Sequence, residues 1–296
     1  MSRRGQLAPL PSPDEWTEEE DRLGFFGPNS VTWRIHADPS YAVGGLRALM
    51  LQALHPVAMD GVAQNSTGFR DEWWMRMTRT GQYVETLTFG TRTEARRMAA
   101  RVRGLHRKLS GVEETTGRAY RVDDPDLLLW VHNCEVDSLL STARRAGLAL
   151  TDADADAYVL EHRAAARLVG VPEGLAPRTV ADLDAYFAQI RPSLALTPAA
   201  SDGVRRLFVP PMPGWVQMLT PARPAWGTFA SLGFATLPAW ARQMYSMPGF
   251  SLTDGAATAA LRTLRVALLA VPERARWSPI VRAGFDRVAA ADPLTA

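Results

Sequence analysis

Leu127-Leu128-Leu129-Trp130-Val131-His132-Asn133-Cys134-Glu135-Val136-Asp137-Ser138 is the stretch whose reading decides the fold. It is strongly apolar, yet polar residues interrupt it at helical spacing, with His132, Glu135 and Ser138 near one face at i, i+3 and i+6. Asp123-Asp124-Pro125 upstream is a helix start with proline in the first turn, and Gly147 closes the helix after about Ala146. A helix this apolar belongs in a core, and polar groups buried there require partners. The cluster is therefore either a network beside a site or a structural polar core. Cys134, the chain's one cysteine, lies inside the same helix and reads as an inert buried thiol.

The flanking sequence repeats the helical theme. Apolar residues recur at helical spacing from Tyr41 to about Asn65, interrupted by His55-Pro56, where proline removes a backbone donor and predicts a kink. After a loop over Asn65-Ser66-Thr67-Gly68, a helix is expected from about Asp71 to Leu87. Thr91 and Glu94 have capping-box spacing and open another, running to about Leu109. The polar, glycine-containing run from Ser110 to Tyr120 reads as a loop or small hairpin. Further helices are expected from Thr151-Asp152 to about Val169, over Val180–Ile190, and at about 202–208, 212–221, 225–235, 237–246, 252–270 and 278–290. No stretch alternates strictly over strand length and no fixed-period repeat occurs. The expectation is an all-α fold of about ten helices, one domain over 25–296, after a loose proline-rich and charged lead-in over 1–24.

Composition narrows the function. The 296 residues are 47% hydrophobic and 22% charged, which excludes general disorder. A net charge of +2 argues against a dedicated nucleic-acid binder. A single cysteine excludes an internal disulfide framework and a cysteine-rich zinc or iron–sulfur site. Met1-Ser2-Arg3-Arg4 runs into Pro11-Ser12-Pro13-Asp14-Glu15 and an acidic run rather than an apolar stretch, so no signal peptide is expected and the location inferred is cytoplasmic. Pro224–Ala241 is free of charge but contains two prolines and two glycines, and reads as a buried helix pair rather than a membrane span.

Two helices carry candidate chemistry. On the Asp71–Leu87 helix, Arg76, Arg79, Thr80 and Tyr83 fall at i, i+3, i+4 and i+7, with Trp73 one turn earlier. This stripe is either a solvated arginine face or a grip for an anionic or oxygen-rich ligand. On the next helix, His106 sits beside the stripe of Val102, Leu105 and Leu109. A neutral imidazole there can bind a metal through one nitrogen. Gly104 gives room for a flat cofactor at roughly 1 kcal/mol of helix propensity. The plain reading of His106 is an ordinary hydrogen-bonded histidine. There is no H-E-x-x-H, G-x-S-x-G, P-loop or G-x-G-x-x-G.

Four segments in order resemble one family. They are Leu51-Gln52-Ala53-Leu54-His55-Pro56; Arg76-x-x-Arg79-Thr80; Val102-Arg103-x-Leu105-His106; and Leu129-Trp130-Val131-His132-x-x-x-Val136-Asp137-Ser138. Gly170-Val171-Pro172 and Leu237-Pro238 fit as well. Over roughly residues 30–245 the chain resembles the domain-of-unknown-function 2236 family, which contains the latex-clearing rubber oxygenases and the fungal mycophenolate-pathway oxygenase MpaB. The resemblance implies an all-helical fold housing a b-type haem, with His106 as axial iron ligand and Arg76 and Thr80 by the haem pocket. Where rubber oxygenases carry a lysine able to reach iron, this chain has Arg79, a poor ligand because it stays protonated. Their distal glutamate has no clear counterpart; Glu72 and Asp60 are the nearest carboxylates.

The implied reaction is oxygen insertion with O2 into a small lipophilic substrate, isoprenoid or otherwise unsaturated, with oxidative C=C cleavage as one form. Arg76, Arg79 and Thr80 would anchor a propionate or stabilise developing charge. His55 and His132 would contact the cofactor or shape its pocket. Phe208–Leu219 and Trp226–Trp240 would line the pocket or be plain core. Two other readings stay open: a non-catalytic helical module for a lipophilic ligand or partner, and a non-haem metal enzyme using His55, His106 and His132.

Overall fold

The computed structural model describes residues 7–65, 73–114, 117–212, 214–247 and 249–290. The expected loop at Ser66-Thr67-Gly68, the helix start at Asp71 and the carboxylate of Glu72 lie outside the described residues, as do 1–6 of the lead-in.

The helices are α1 (Glu18–Leu23), α2 (Val31–His36), α3 (Tyr41–Gln52), α4 (Pro56–Asn65), α5 (Trp73–Phe89), α6 (Arg92–His106), α7 (Pro125–Arg145), α8 (Asp152–Glu161), α9 (Arg163–Val169), α10 (Val180–Ile190), α11 (Pro198–Phe208), α12 (Gly214–Leu219), α13 (Ala222–Ala235), α14 (Ala239–Met244), α15 (Ser251–Leu269), α16 (Glu273–Arg276) and α17 (Pro279–Ala289). Between α6 and α7 lies an antiparallel hairpin of β1 (Ser110–Val112) and β2 (Ala119–Arg121), in which Gly111 faces Tyr120. The fold is mainly all-α, as the apolar periodicity requires.

There are more helices than the sequence suggests because proline and histidine junctions break segments that read as continuous. Tyr41–Asn65 does not kink. It stops at Gln52, and α4 begins anew at Pro56. Proline disfavours helical geometry at the residue before it as well as lacking a donor, so His55 falls in the gap. The helix expected over 151–169 likewise divides at His162 into α8 and α9. The helix pair expected within the charge-free Pro224–Ala241 is found as α13 and α14, with Pro238 between them. Among the described residues no helix is long and apolar enough to cross a membrane.

Helix α7 is the axis of the core. It packs antiparallel on α3: Gly44 lies against Leu139, and Gln52 donates to the carbonyl of Val131 at 3.0 Å. Trp130 is fully buried among Met50, Leu51, Leu54 and Cys134, and its indole donates to Gln52 O at 3.0 Å. Helix α13 covers the other side of α3, and α5 pairs with α6 as a second layer.

From residue 7 onward the N-terminal lead-in makes contacts with the rest of the chain. Thr17 forms a capping box with Glu20 at the start of α1. Asp21 accepts from the Thr93 amide at 2.6 Å, and the carbonyl of buried Ala8 accepts from Arg103 at 2.6 Å. Composition alone hides such anchoring, because the partners lie some 70 to 95 residues away.

Candidate functional site

Helices α5, α6 and α7 each present polar side chains that lack partners. On α5, Trp73 is buried and Arg76 half-buried, while Arg79 and Thr80 are exposed. The predicted stripe therefore divides: its inner edge is Arg76 and Tyr83, its outer edge Arg79 and Thr80. The Arg76 Nη1 is buried and has no hydrogen-bond partner among the described residues. Burial pushes its pKa down, which favours an anionic neighbour.

On α6, Arg103 and His106 lie one turn apart, so they share a face. One end of the Arg103 guanidinium is spent on Ala8 O; its Nη1 is buried without a partner among the described residues. The Nδ1 of His106 is likewise buried and unpartnered. Burial lowers the His106 pKa against the opposing charge of Asp123, so the imidazole is neutral near pH 7. A Cβ built on Gly104 would meet nothing within 4 Å, so that flank of α6 is open. The sequence gives Arg103 no role beyond its place in the Val102-Arg103-x-Leu105-His106 segment; its position three before His106 on the same helix is the available signal.

On α7, Val131 keeps 40% of its surface although it sits in the most buried helix. Glu135 follows one turn later, half-buried, with no hydrogen bond or ion pair among the described residues. Burial raises its carboxyl to about 7. Burial raises the pKa values of Tyr41, Tyr83 and Tyr158, and the charge of Glu135 raises each further.

His132 lies behind Glu135 in a buried histidine–tyrosine network. Its ring is 6.0 Å from that of His162, which lies 4.2 Å from the ring of Tyr158. His36 sits 3.1 Å from the Tyr158 hydroxyl and 2.8 Å from Thr88 Oγ1. Burial holds His36 down to about 3 and His132 to about 4, and keeps His162 well below its usual value. His36 and His162 were legible in the sequence only as scarce histidines; nothing in their spacing joined them.

Three expectations are corrected. Ser138 does not share the face of His132. Six residues from His132 is 600° of helix, a third of a turn out of phase, and its hydroxyl accepts from Arg47 at 2.6 Å on the α3 side. His55, His106 and His132 do not converge. His55 stacks near Trp130 at 5.7 Å and accepts from the Ala58 amide at 3.3 Å. Among the described residues no group of three His, Cys, Asp or Glu side chains could hold a metal ion, which removes support for the three-histidine metal site. Third, Phe208–Leu219 is not uniformly inward: Trp215, Met218 and Leu219 are 65%, 85% and 80% exposed.

Trp226 does turn inward, against Trp73 and Trp74 at 5.6 and 5.1 Å. Asp60 is buried. One oxygen accepts from Gln64 at 3.0 Å and the other is unpartnered among the described residues. Cys134 is fully buried and its thiol is pushed well up, chiefly by desolvation, as expected for a structural cysteine.

A family model described as ER-bound oxygenase mpaB/B'/Rubber oxygenase, catalytic domain, matches residues 33–270. That span contains α3 to α15 and every side chain named in this site. Neither a curated protein nor a solved structure matches the chain.

Proposed function

The chain belongs to the mpaB and rubber oxygenase catalytic-domain family, and from that premise we propose that it is a haem b-dependent oxygenase acting with O2 on a small lipophilic substrate. The observation that carries the reading is the set of three buried, unpartnered nitrogens: Nδ1 of His106 and an Nη1 each of Arg76 and Arg103. Buried polar atoms without partners are rare; a neutral imidazole is a donor for iron, and each guanidinium is a donor for a carboxylate.

His106 would hold the iron, and Arg76 and Arg103 the propionates. A haem bound there supplies an iron centre at which dioxygen is activated. The chain's own residues do the rest. Burial keeps His106 unprotonated, so its nitrogen lone pair is available near pH 7. Trp73 and Trp226 exclude water from one side. Arg79 and Thr80, exposed beside Arg76, stand at the mouth, where a fixed positive charge and a hydroxyl meet an entering oxygen function. His55 and His132 shape the walls; both have neighbours that occupy their rings.

The test is the visible absorption spectrum and iron content of protein produced with haem supplied, compared with His106→Ala. A Soret band in the wild type that is lost in a variant with unchanged circular dichroism supports the assignment. A folded, colourless, iron-free wild type overturns it.

A further inference from the structure

The four most exposed large apolar side chains among the described residues are Met218, Leu252, Leu219 and Phe250, each more than three-quarters exposed. All four fall in the stretch from residue 203 to residue 253, which has no aspartate or glutamate and carries four arginines, Arg205, Arg206, Arg223 and Arg242. Apolar exposure and a single sign of charge therefore coincide, and they do so most closely at α12. Trp215, Met218 and Leu219 stand there at i, i+3 and i+4, so the six-residue helix turns one apolar face outward. Arg205 on α11 and Arg223 on α13, both exposed, flank it in the chain.

Hydrogen bonds join this segment to the head of α5. The Trp74 indole donates to Pro211 O at 2.5 Å, and that of Trp226 on α13 donates to Leu207 O at 2.7 Å, with the two indole rings 5.1 Å apart. Trp74 and Met75 are themselves 38% and 42% exposed. Exposed apolar side chains of α5 and α12 are thus braced through the chain that enters α12.

An exposed apolar patch rimmed by polar residues marks a contact surface. The charges decide its occupant. A second copy docked face to face would set arginine against arginine with no carboxylate from this stretch to pair them. A hydrocarbon layer under negative headgroups meets both features. Tryptophan seats at the boundary between headgroups and acyl chains, and arginine keeps its charged end among the phosphates. At six residues α12 is too short to span a bilayer and suits the plane of its surface.

We propose that the outward face of α12, with Trp74 and Met75 beside it, docks the protein on the surface of an anionic phospholipid bilayer. Apolar insertion and headgroup attraction act together, and the attachment is reversible. Helix α5 also carries Arg76 and Arg79, so on the oxygenase reading docking brings that site to the layer in which a lipophilic substrate dissolves. The docking itself does not depend on that reading.

The test is co-sedimentation of the full chain, produced with and without haem supplied, with vesicles of equal parts phosphatidylcholine and phosphatidylglycerol and with vesicles of phosphatidylcholine alone. The wild type is expected to bind the anionic vesicles more tightly. On them, Met218→Ser combined with Leu219→Ser should weaken binding at least about tenfold, because two apolar anchors are lost. Arg205→Gln should weaken it about fivefold, the worth of one basic residue at a charged surface. Val266→Ser on α15, 66% exposed but outside the acid-free stretch, should change nothing. Circular dichroism checks that each variant is folded. Overturning results are no binding to anionic vesicles, equal binding to both vesicle types, binding unaffected by the serine pair, or light scattering that shows a dimer which the serine pair dissociates. Binding by haem-free protein sustains the docking where the oxygenase reading fails.

Discussion

Arg47 of α3 and Asp137 of α7 are joined at 2.6 Å across the core, with the arginine only 2% exposed and the aspartate 24% exposed. The same guanidinium donates to Ser138 Oγ at 2.6 Å and to the carbonyl of Thr236, beyond α13, at 3.0 Å. One side chain thus ties three segments. The Val136-Asp137-Ser138 part of the family resemblance is accounted for by this tie, so those residues frame the site rather than act in it.

Asp137→Ala leaves the Arg47 charge buried without its counter-ion. Removing one member of a buried pair typically costs about 3–5 kcal/mol, and the partial exposure of Asp137 places this case at the lower end, ~3 kcal/mol. Urea denaturation followed by circular dichroism measures it. A loss below about 1 kcal/mol would show that water replaces the aspartate.

Two adjacent glycines should respond in opposite directions. A Cβ on Gly44 would lie 2.9 Å from Leu139 Cδ2 and 3.3 Å from both Leu139 Cα and Ser138 O, whereas a Cβ on Gly45 would meet nothing within 4 Å. Gly44→Ala forces α3 away from α7 and should destabilise by about 1–3 kcal/mol. Gly45→Ala only gains helix propensity and should stabilise by up to ~1 kcal/mol. Paired thermal melts decide it, and equal shifts of one sign would refute the packing argument.

Acid should destabilise the fold. His36 and His132 are held from 6.5 down to about 3 and about 4. Between the unfolded and folded values the unfolded chain binds more protons, so their contribution is complete above about pH 6.5 and is lost as pH falls. His132 alone accounts for ~3 kcal/mol over that window. Glu135 acts oppositely: raised from 4.5 to about 7, its carboxyl holds a proton in the folded state, and stability is lost as pH rises through that range. Stability measured at stepped pH should therefore climb from about 4 to 6.5, and Glu135→Gln should steepen the climb. A flat profile in both proteins would contradict the assigned environments.

Cys134 should be inert in the native state. It is fully buried, and its thiol is pushed up by desolvation and by Asp137. Iodoacetamide at pH 8 should modify it only in denaturant, by mass spectrometry. Rapid native labelling would mean that α7 opens locally.

The helical class was legible because apolar periodicity around Trp130 and Leu139 is a local property of the sequence. Capping boxes such as Thr91 with Glu94 were legible for the same reason. Candidate residues on one helix, such as Arg76 and Tyr83, could be grouped by spacing. What could not be read was anything joining distant helices. Ala8 against Arg103, His36 against Tyr158, and Arg47 against Asp137 are separated by 95, 122 and 90 residues. The break at Pro56 was read as a kink because a single proline permits both outcomes, and the packing of α4 beside the β-hairpin selects the break.

Helix α7 carries two kinds of position: Asp137 and Ser138, held by Arg47 of α3, and Val131, which keeps 40% of its surface, with half-buried Glu135 one turn on. For protein engineering this amounts to a chassis with an exchangeable panel. Substitutions at 131 and 135 vary that surface while the Arg47 tie keeps the helix in register, so a library confined to those two positions should retain folded members at high frequency.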